Sequence, residues 1–376
     1  MTEAGLIRVS HILWSGAMGG IERLVHDLAV EQTRAGHQVG VVFGQAEGPF
    51  ADLLRERGIA VTDLGLRSGW ALPPRRIASG REVLGRASVV HMHGFNFAFA
   101  AMLSDPKPAI LYTEHGHFAL GRRLGLGGRA KRQVLKSFLR RRVDLLAANS
   151  AHTASRMCDL YGIDRDVVAV VHNGIASEPQ DRPADARVNG RLTVAFLGRL
   201  VPFKRVDRLI RAVSLMEDPS AIRALIAGSG PLEAELLALA RRLGVEKAIS
   251  FVGRVDDVSA MLARVDVIVQ PSEAEPFGIA LVEGCREGCL PIAFADGGGA
   301  LEVIPPDAIV IEDEHGLADA LARLVNSDAL SGDARRDRAA WARRQFSISR
   351  CANRYADLYR AAIRRRSASM PMTARR

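Results

Sequence analysis

Short apolar runs alternate with helix-like stretches along this chain, and the alternation stops once and then starts again. Strands are expected at 7–13, 38–43, 89–93, 109–113, 145–149 and 167–171, with helices at 21–35 and near 50–57. Strands that alternate with helices build a parallel, doubly wound sheet covered on both faces. From 175 to 191 the chain turns polar, with Pro179 and Pro183, and reads as a linker. The pattern resumes with strands at 192–197, 223–227, 249–252, 265–269 and 290–294 and helices at 206–216 and 232–243. A last helical stretch is expected from about 339 to 364. The fold class is therefore α/β, with two Rossmann-like halves. Such sheets bind ligands outside the carboxyl ends of their strands.

The 376 residues suit two cores better than one. With 48% apolar and 25% charged residues, the composition is that of a folded globular protein. No window holds 18 unbroken apolar residues, and the start carries no basic-then-apolar leader, so neither a membrane span nor a signal peptide is expected. Cys158, Cys285, Cys289 and Cys351 include no C-x-x-C pair. Cys285 and Cys289 are spaced to share a helical face, but two thiols alone make a poor metal site, and reduced structural thiols in cytoplasm are expected.

The net charge of +9 is uneven. One cluster runs from Arg122 and Arg123 through Arg129, Lys131, Arg132 and Lys136 to Arg140, Arg141 and Arg142, and a second ends the chain. Val134, Leu135, Phe138 and Leu139 recur at helical spacing within the first, which reads as a basic amphipathic helix. Such a face is either solvated or docked on an anionic membrane, where each basic residue contributes about 1 kcal/mol. Nucleic acid is not expected, because only 5% of residues are aromatic and none interleave with the arginines as stacking platforms.

The chemistry is concentrated in a few segments. Glu275-Pro-Phe-Gly-Ile-Ala-Leu-Val-Glu283 follows the apolar run ending at Gln270 and places two carboxylates around a helix start. Ionised carboxylates accept paired hydrogen bonds from a diol, and the first amides of the helix that Phe277-Gly278 opens can hold an anion or sugar hydroxyls. Gly198-Arg199-Leu-Val-Pro-Phe-Lys204 follows a strand and supplies a guanidinium and an ammonium, the groups that neutralise a diphosphate. Gly16-Ala-Met-Gly19-Gly20 precedes a helix whose N-terminus favours an anion, although it is no G-x-G-x-x-G. His91-Met-His93 and His115-Gly-His117 sit near strand ends. Alternate strand residues face one way, so each pair can meet one metal, one sugar, or only its own core. Asn149-Ser150 with Thr153 reads as a helix cap, and Asp256-Asp257 as an acidic helix start with no metal.

Taken in order, these segments resemble the retaining family 4 glycosyltransferases of the GT-B fold. The resemblance rests on Ser272, Glu275-Pro-Phe-Gly278, Glu283-Gly284, Gly19-Gly20-Ile-Glu-Arg23, Gly198-Arg199 with Lys204, Thr113-Glu-His115-Gly116 and Gly297-Gly-Gly299 with Glu302. Cys285 departs from it, standing where alanine is expected. The resemblance implies two Rossmann-like domains facing a central cleft. Residues 1–180 would bind the acceptor and be completed by a C-terminal helix at about 345–366. Residues 190–340 would bind the nucleotide sugar, and 367–376 would be a basic disordered tail. It also implies that Arg199, Lys204, Gly19 and Gly20 stabilise the departing diphosphate. Glu283 would hold the ribose diol, and Glu275, Phe277, Gly278 and Ile279 the sugar hydroxyls. Arg254 would lie near the base, His115 near the transferred sugar and His93 near the acceptor.

The expected protein is a metal-independent, cofactor-free hexosyltransferase. It would use a UDP or GDP sugar and a lipid-linked or glycan acceptor in surface polysaccharide or glycolipid assembly. It would be cytoplasmic, or peripheral on the cytoplasmic face of the membrane. Three alternatives stay open: a GT-B-fold sugar-nucleotide epimerase with Glu275 as acid/base, a non-catalytic sugar-nucleotide-binding scaffold, and a zinc hydrolase built on the histidines.

Overall fold

A computed structural model of the chain describes residues 5–17, 19–46, 48–69, 73–104, 108–116, 126–176, 190–325 and 327–369. The chain divides into two compact units, 1–176 with 348–376, and 177–347.

The first unit holds β1 (Arg8–Ser15), β2 (Gln38–Gln45), β3 (Ala60–Asp63), β4 (Val89–Met92), β5 (Ala109–Glu114), β6 (Leu145–Ala148) and β7 (Val168–Val170). They form one sheet in the order β3-β2-β1-β4-β5-β6-β7, with every pairing parallel. The chain runs outward from β1 to β3 and then crosses back to start β4 beside β1. That β1/β4 boundary is the switch point where open sheets of this kind leave a crevice. β4 and β5 are buried along their whole length, as strands covered on both faces must be. β3 and the helix Pro74–Leu84 are absent from the sequence reading for a physical reason. β3 shows no buried residue, and only Gly80 and Leu84 of the helix are buried, so neither carries an apolar period.

The second unit holds β8 (Leu192–Leu197), β9 (Ile222–Ala227), β10 (Ile249–Gly253), β11 (Val267–Gln270), β12 (Leu290–Phe294) and β13 (Ile309–Ile311). Its order is β10-β9-β8-β11-β12-β13, again all parallel, with the switch point between β8 and β11. One face of the sheet makes a large core with the helices Val206–Leu215, Glu233–Arg242 and Glu314–Leu324, and Ala195, Leu225, Ile268 and Ala293 on the other face cluster with Ala280 and Leu281 of the helix Ile279–Arg286. Two parallel, doubly wound sheets, one per unit, are the expected α/β class.

Four sequence readings need correction. The stretch from 339 to 364 is not one helix. Gly332–Gln345 ends in the second unit and Ile348–Ser369 begins in the first. Phe346 breaks the helix because its ring is buried between Phe277 and Trp341, with centroids 6.1 and 5.4 Å away, and Ile348 N–H then donates to Ile175 C=O. The C-terminal helix runs to Ser369, past the expected end at 366, while residues 370–376 of the basic tail lie outside the described residues. Cys285 and Cys289 share no helix face. The helix Ile279–Arg286 stops first, and Gly288 turns at φ +83° so that Cys289 Sγ donates to the carbonyls of Leu262 and Val265. Val134 is also misplaced. In the helix Leu126–Arg142 the side chains of Leu135, Phe138 and Leu139 enter the core, whereas Val134 is exposed. Arg122, Arg123 and most of the linker lie outside the described residues.

Candidate functional site

In the second unit the loops leaving β8, β9 and β10 are tied by backbone. Gly198 N–H donates to Ala227 C=O at 3.0 Å, Leu200 N–H to Ser229 C=O at 3.0 Å, and Gly228 N–H to Gly253 C=O at 2.7 Å. A side chain on Gly228 would put its Cβ 1.9 Å from the Gly198 oxygen, which is why the turn at 228–231 needs its glycines. Exposed Arg199 and exposed Arg254 thereby reach the same carboxyl edge of the sheet, on loops that follow β8 and β10.

Lys204 and Glu275 meet across the β8/β11 switch point. Lys204 Nζ donates to both carboxylate oxygens of Glu275, at 3.0 and 2.8 Å, and both side chains are nearly buried, 12% and 9% exposed. Gln270 Nε2, at the end of β11, donates to Glu275 Oε2 at 2.8 Å and to Ser272 Oγ at 2.9 Å. Burial by itself raises a carboxyl pKa. Here the Lys204 charge, with hydrogen bonds from Lys204, Ser272 and Gln270, outweighs it and holds Glu275 below the usual carboxylate range. A carboxylate so engaged on both oxygens is an orienting group and an acceptor, not a free nucleophile.

Glu275 is held by a second loop. Its N–H donates to Gly297 C=O at 3.0 Å and its C=O accepts from Gly299 N–H at 2.7 Å, while Ala274 N–H donates to Asp296 C=O at 2.8 Å. Arg208 staples both loops. It forks onto Asp296 at 2.8 and 2.7 Å, donates to Pro271 C=O at 3.2 Å, and lies 4.6 Å over the Phe294 ring. Among the described residues, two other than glycine have positive φ, Arg205 at 47° and Ala274 at 52°. Each adjoins a member of the ion pair, and strain of this kind persists where surrounding structure fixes a functional geometry. Gly278, at φ +90°, caps the helix Ile279–Arg286, which carries buried Glu283. Phe277 is buried, and Asp257 caps the helix Val258–Leu262 through the Ala260 N–H at 2.8 Å.

In the first unit Gly19 and Gly20 are exposed at the start of the helix Gly20–Arg34, just after β1, with Met18 outside the described residues. His91 on β4, and His93 and His115 just past β4 and β5, are buried. His117 lies outside the described residues. The pairing of His91 and His93 expected from alternation is real, with ring centroids 3.9 Å apart, but a third partner was missed. His11, in the middle of β1, stacks on His93 and bonds it at 2.9 Å. A histidine inside an apolar strand was the available signal. Potential ligand nitrogens of His11, His91 and His93 lie within 4.8 Å of one another, but every ring nitrogen of the three is in a hydrogen bond. A cation there would have to displace those bonds. Arg208, Asp296 and Gln270 were also missed, since nothing in spacing marks a residue that acts on a loop.

A doubly wound α/β unit with a basic and carboxylate constellation at its switch point, joined to a second doubly wound unit, defines a GT-B protein. The chain belongs to the family 4 glycosyltransferases. Residues 177–345 match the family described as glycosyl transferases group 1, and residues 18–178 match Glycosyltransferase Family 4. The D-inositol 3-phosphate glycosyltransferase of Nocardia farcinica is 30% identical over 243 residues, 58% of this chain and 53% of that protein. The chain thus spans about half the length of this relative. A glycogen synthase of Mycobacterium tuberculosis is 28% identical over 389 residues, covering 92% of each. The crystal structure of Anabaena HepE in complex with UDP and glucose superposes with a TM-score of 0.78 at 19% identity, over 94% of this chain and 99% of that one.

Proposed function

We propose that this chain is a retaining hexosyltransferase that moves one sugar from a nucleoside diphosphate sugar to an acceptor hydroxyl without a metal. The observation that carries the reading is the Lys204–Glu275 ion pair at the β8/β11 switch point, with Arg199 exposed on the loop that leads to Lys204. A diphosphate leaving group needs cations placed before it departs, and a guanidinium with an oriented ammonium supplies them. Arg199 and Lys204 hold the diphosphate, and the Gly19 and Gly20 amides assist. Glu283 takes the ribose diol. Glu275, with the amides of Phe277, Gly278 and Ile279, takes the sugar hydroxyls. Arg254 lies against the base, His115 accepts from a sugar hydroxyl, and His93 stands on the acceptor side.

In the reaction the bond from the anomeric carbon to the diphosphate oxygen breaks, and its electron pair stays on the diphosphate. The acceptor oxygen bonds the same face of that carbon and its proton passes to the departing phosphate, so configuration is retained. The acceptor is a lipid-linked or glycan intermediate of surface polysaccharide or glycolipid assembly. No helix among the described residues is long and apolar enough to cross a membrane. Contact with an anionic cytoplasmic surface falls to exposed Arg129, Arg140, Arg141 and Arg142, because the apolar stripe of their helix is spent on the core.

Thermal stabilisation against UDP, GDP, ADP and their sugars, with and without chelator, tests this. UDP comes first because the HepE structure contains it. A selective shift that survives chelator and vanishes in Arg199→Ala is expected. No shift with any nucleotide, together with collapse on chelation, overturns the reading in favour of a histidine metal site. Epimerised or hydrolysed donor formed without acceptor overturns it in favour of the epimerase.

A further inference from the structure

Four histidines are joined through one glutamine in the core of the first unit. Gln32 Oε1 lies 2.8 Å from His11 Nε2, His11 Nδ1 lies 2.9 Å from His93 Nε2, and His93 Nδ1 lies 3.1 Å from His115 Nε2. On a second branch Gln32 Nε2 donates to Tyr359 Oη at 3.0 Å, and that oxygen lies 2.8 Å from His91 Nδ1. His91 Nε2 lies 2.8 Å from Thr113 Oγ1, which donates to Tyr355 Oη at 3.4 Å.

A neutral imidazole has one N–H and one lone pair, so each bond in the chain constrains the next. Burial drives His11, His91 and His93 toward the neutral form, and neighbouring imidazoles add to it at His91 and His93. Gln32 turns its carbonyl to His11 and its NH2 to Tyr359, so His11 Nε2 carries the proton. His11 Nδ1 is then a lone pair and accepts from His93 Nε2–H, and His93 Nδ1 in turn accepts from His115 Nε2–H. On the other branch Tyr359 receives from Gln32 and donates to His91 Nδ1, which leaves His91 Nε2–H to donate to Thr113. One amide orientation orders every proton in the cluster.

We propose that Gln32, acting through His11 and His93, is a positioning residue that holds His115 in its Nε2–H tautomer and so presents Nδ1 as an acceptor for a hydroxyl of the bound sugar. This rests on the role given to His115 above. The opposite tautomer would present an N–H and lose a hydrogen bond from the hydroxyl. The same nitrogens are those a metal would use, but partners already 2.9 and 3.1 Å apart share protons, and a cation would have to break that order.

Long-range 1H–15N NMR of the full chain, labelled with 15N-histidine and assigned by single histidine variants, reads the tautomers directly. The expected result is Nε2–H at His11, His91, His93 and His115. In Gln32→Met, which keeps length but removes the carbonyl, His93 and His115 become tautomer mixtures. With the donor and acceptor in hand, kcat falls about tenfold, the worth of one hydrogen bond, while donor KM moves by less than about twofold. His115 as Nδ1–H in the unaltered protein overturns the proposal even if Gln32→Met fails to fold. So do unchanged tautomers and kcat in the variant, or zinc-dependent loss of the His11 and His93 N–H signals that EDTA reverses. Expected tautomers in a chain that transfers no sugar overturn the sugar-facing role of His115 and leave the proton order standing.

Discussion

Lys204 Nζ sits 2.8 and 3.0 Å from the two carboxylate oxygens of Glu275, joining the loop after β8 to the loop after β11 with both charges nearly out of solvent. Removing one member of such a pair strands the other in a poor dielectric, which costs more than the pair contributes. Glu275→Gln should therefore lower stability by about 3 kcal/mol, measured by urea unfolding. The double variant with Lys204→Met should recover part of that loss. Because the folded pKa of Glu275 lies below its unfolded value, the contribution is fully present above the ordinary carboxylate pKa. It disappears as pH falls through the lower, folded value. If Glu275→Gln and Lys204→Met each unfold like the unaltered protein at pH 7, the pair makes no net contribution to stability.

Gly228→Ala tests the loop that carries Arg199. The added carbon lands 1.9 Å from the Gly198 oxygen at a backbone φ of +129°, so the two loops must part. A loss of at least about 3 kcal/mol is expected. The variant that remains folded at low temperature should bind nucleoside diphosphate more weakly, because Gly198 and Arg199 move together. Gly244→Ala, also at positive φ but with nothing within 4 Å, serves as the control and should leave binding intact.

Most of the architecture was legible because buried parallel strands are continuous apolar runs, as at Leu290–Phe294, where the expected and observed bounds coincide. Elements with little burial, such as Ala60–Asp63, left no such trace. Lys204 and Glu275 were legible as residue types in a spacing, but their pairing was not, since 71 residues separate them and only the sheet order makes them neighbours. His11 went unread for the same reason, as β1 and β4 are adjacent only after the crossover.

Ala274 holds a left-handed φ of 52° while exposed, immediately before Glu275. A Cβ in that region costs about 1 kcal/mol that glycine avoids. Ala274→Gly should thus raise stability by somewhat under about 1 kcal/mol, since the unfolded glycine chain gains freedom. A calorimetric rise in Tm of about 2 °C is the expected reading. A fall would mean that the Ala274 methyl makes contacts worth more than the strain. The same variant should loosen Glu275, so any gain in Tm should come with weaker donor binding.

The histidine cluster gives the first unit its acid limit. Burial pushes His11 from its ordinary 6.5 down to about 4, and His91 and His93 well below 6.5. The groups that face them are one another, His115, Gln32, Thr113, Tyr355 and Tyr359, and no ring nitrogen of His11, His91 or His93 bonds a carboxylate. The unfolded chain therefore binds protons between those values that the native state refuses, and stability must rise with pH across that window. Between pH 6.5 and 5 each such histidine withdraws up to about 2 kcal/mol. Urea midpoints taken at pH 7, 6 and 5 should fall steeply below 6.5, and His11→Gln should flatten the slope by roughly one proton. A slope unchanged in that variant would mean that His11 is protonated in the native state, which would put a second donor, Nδ1–H, opposite His93 and reverse the order of the chain to His115.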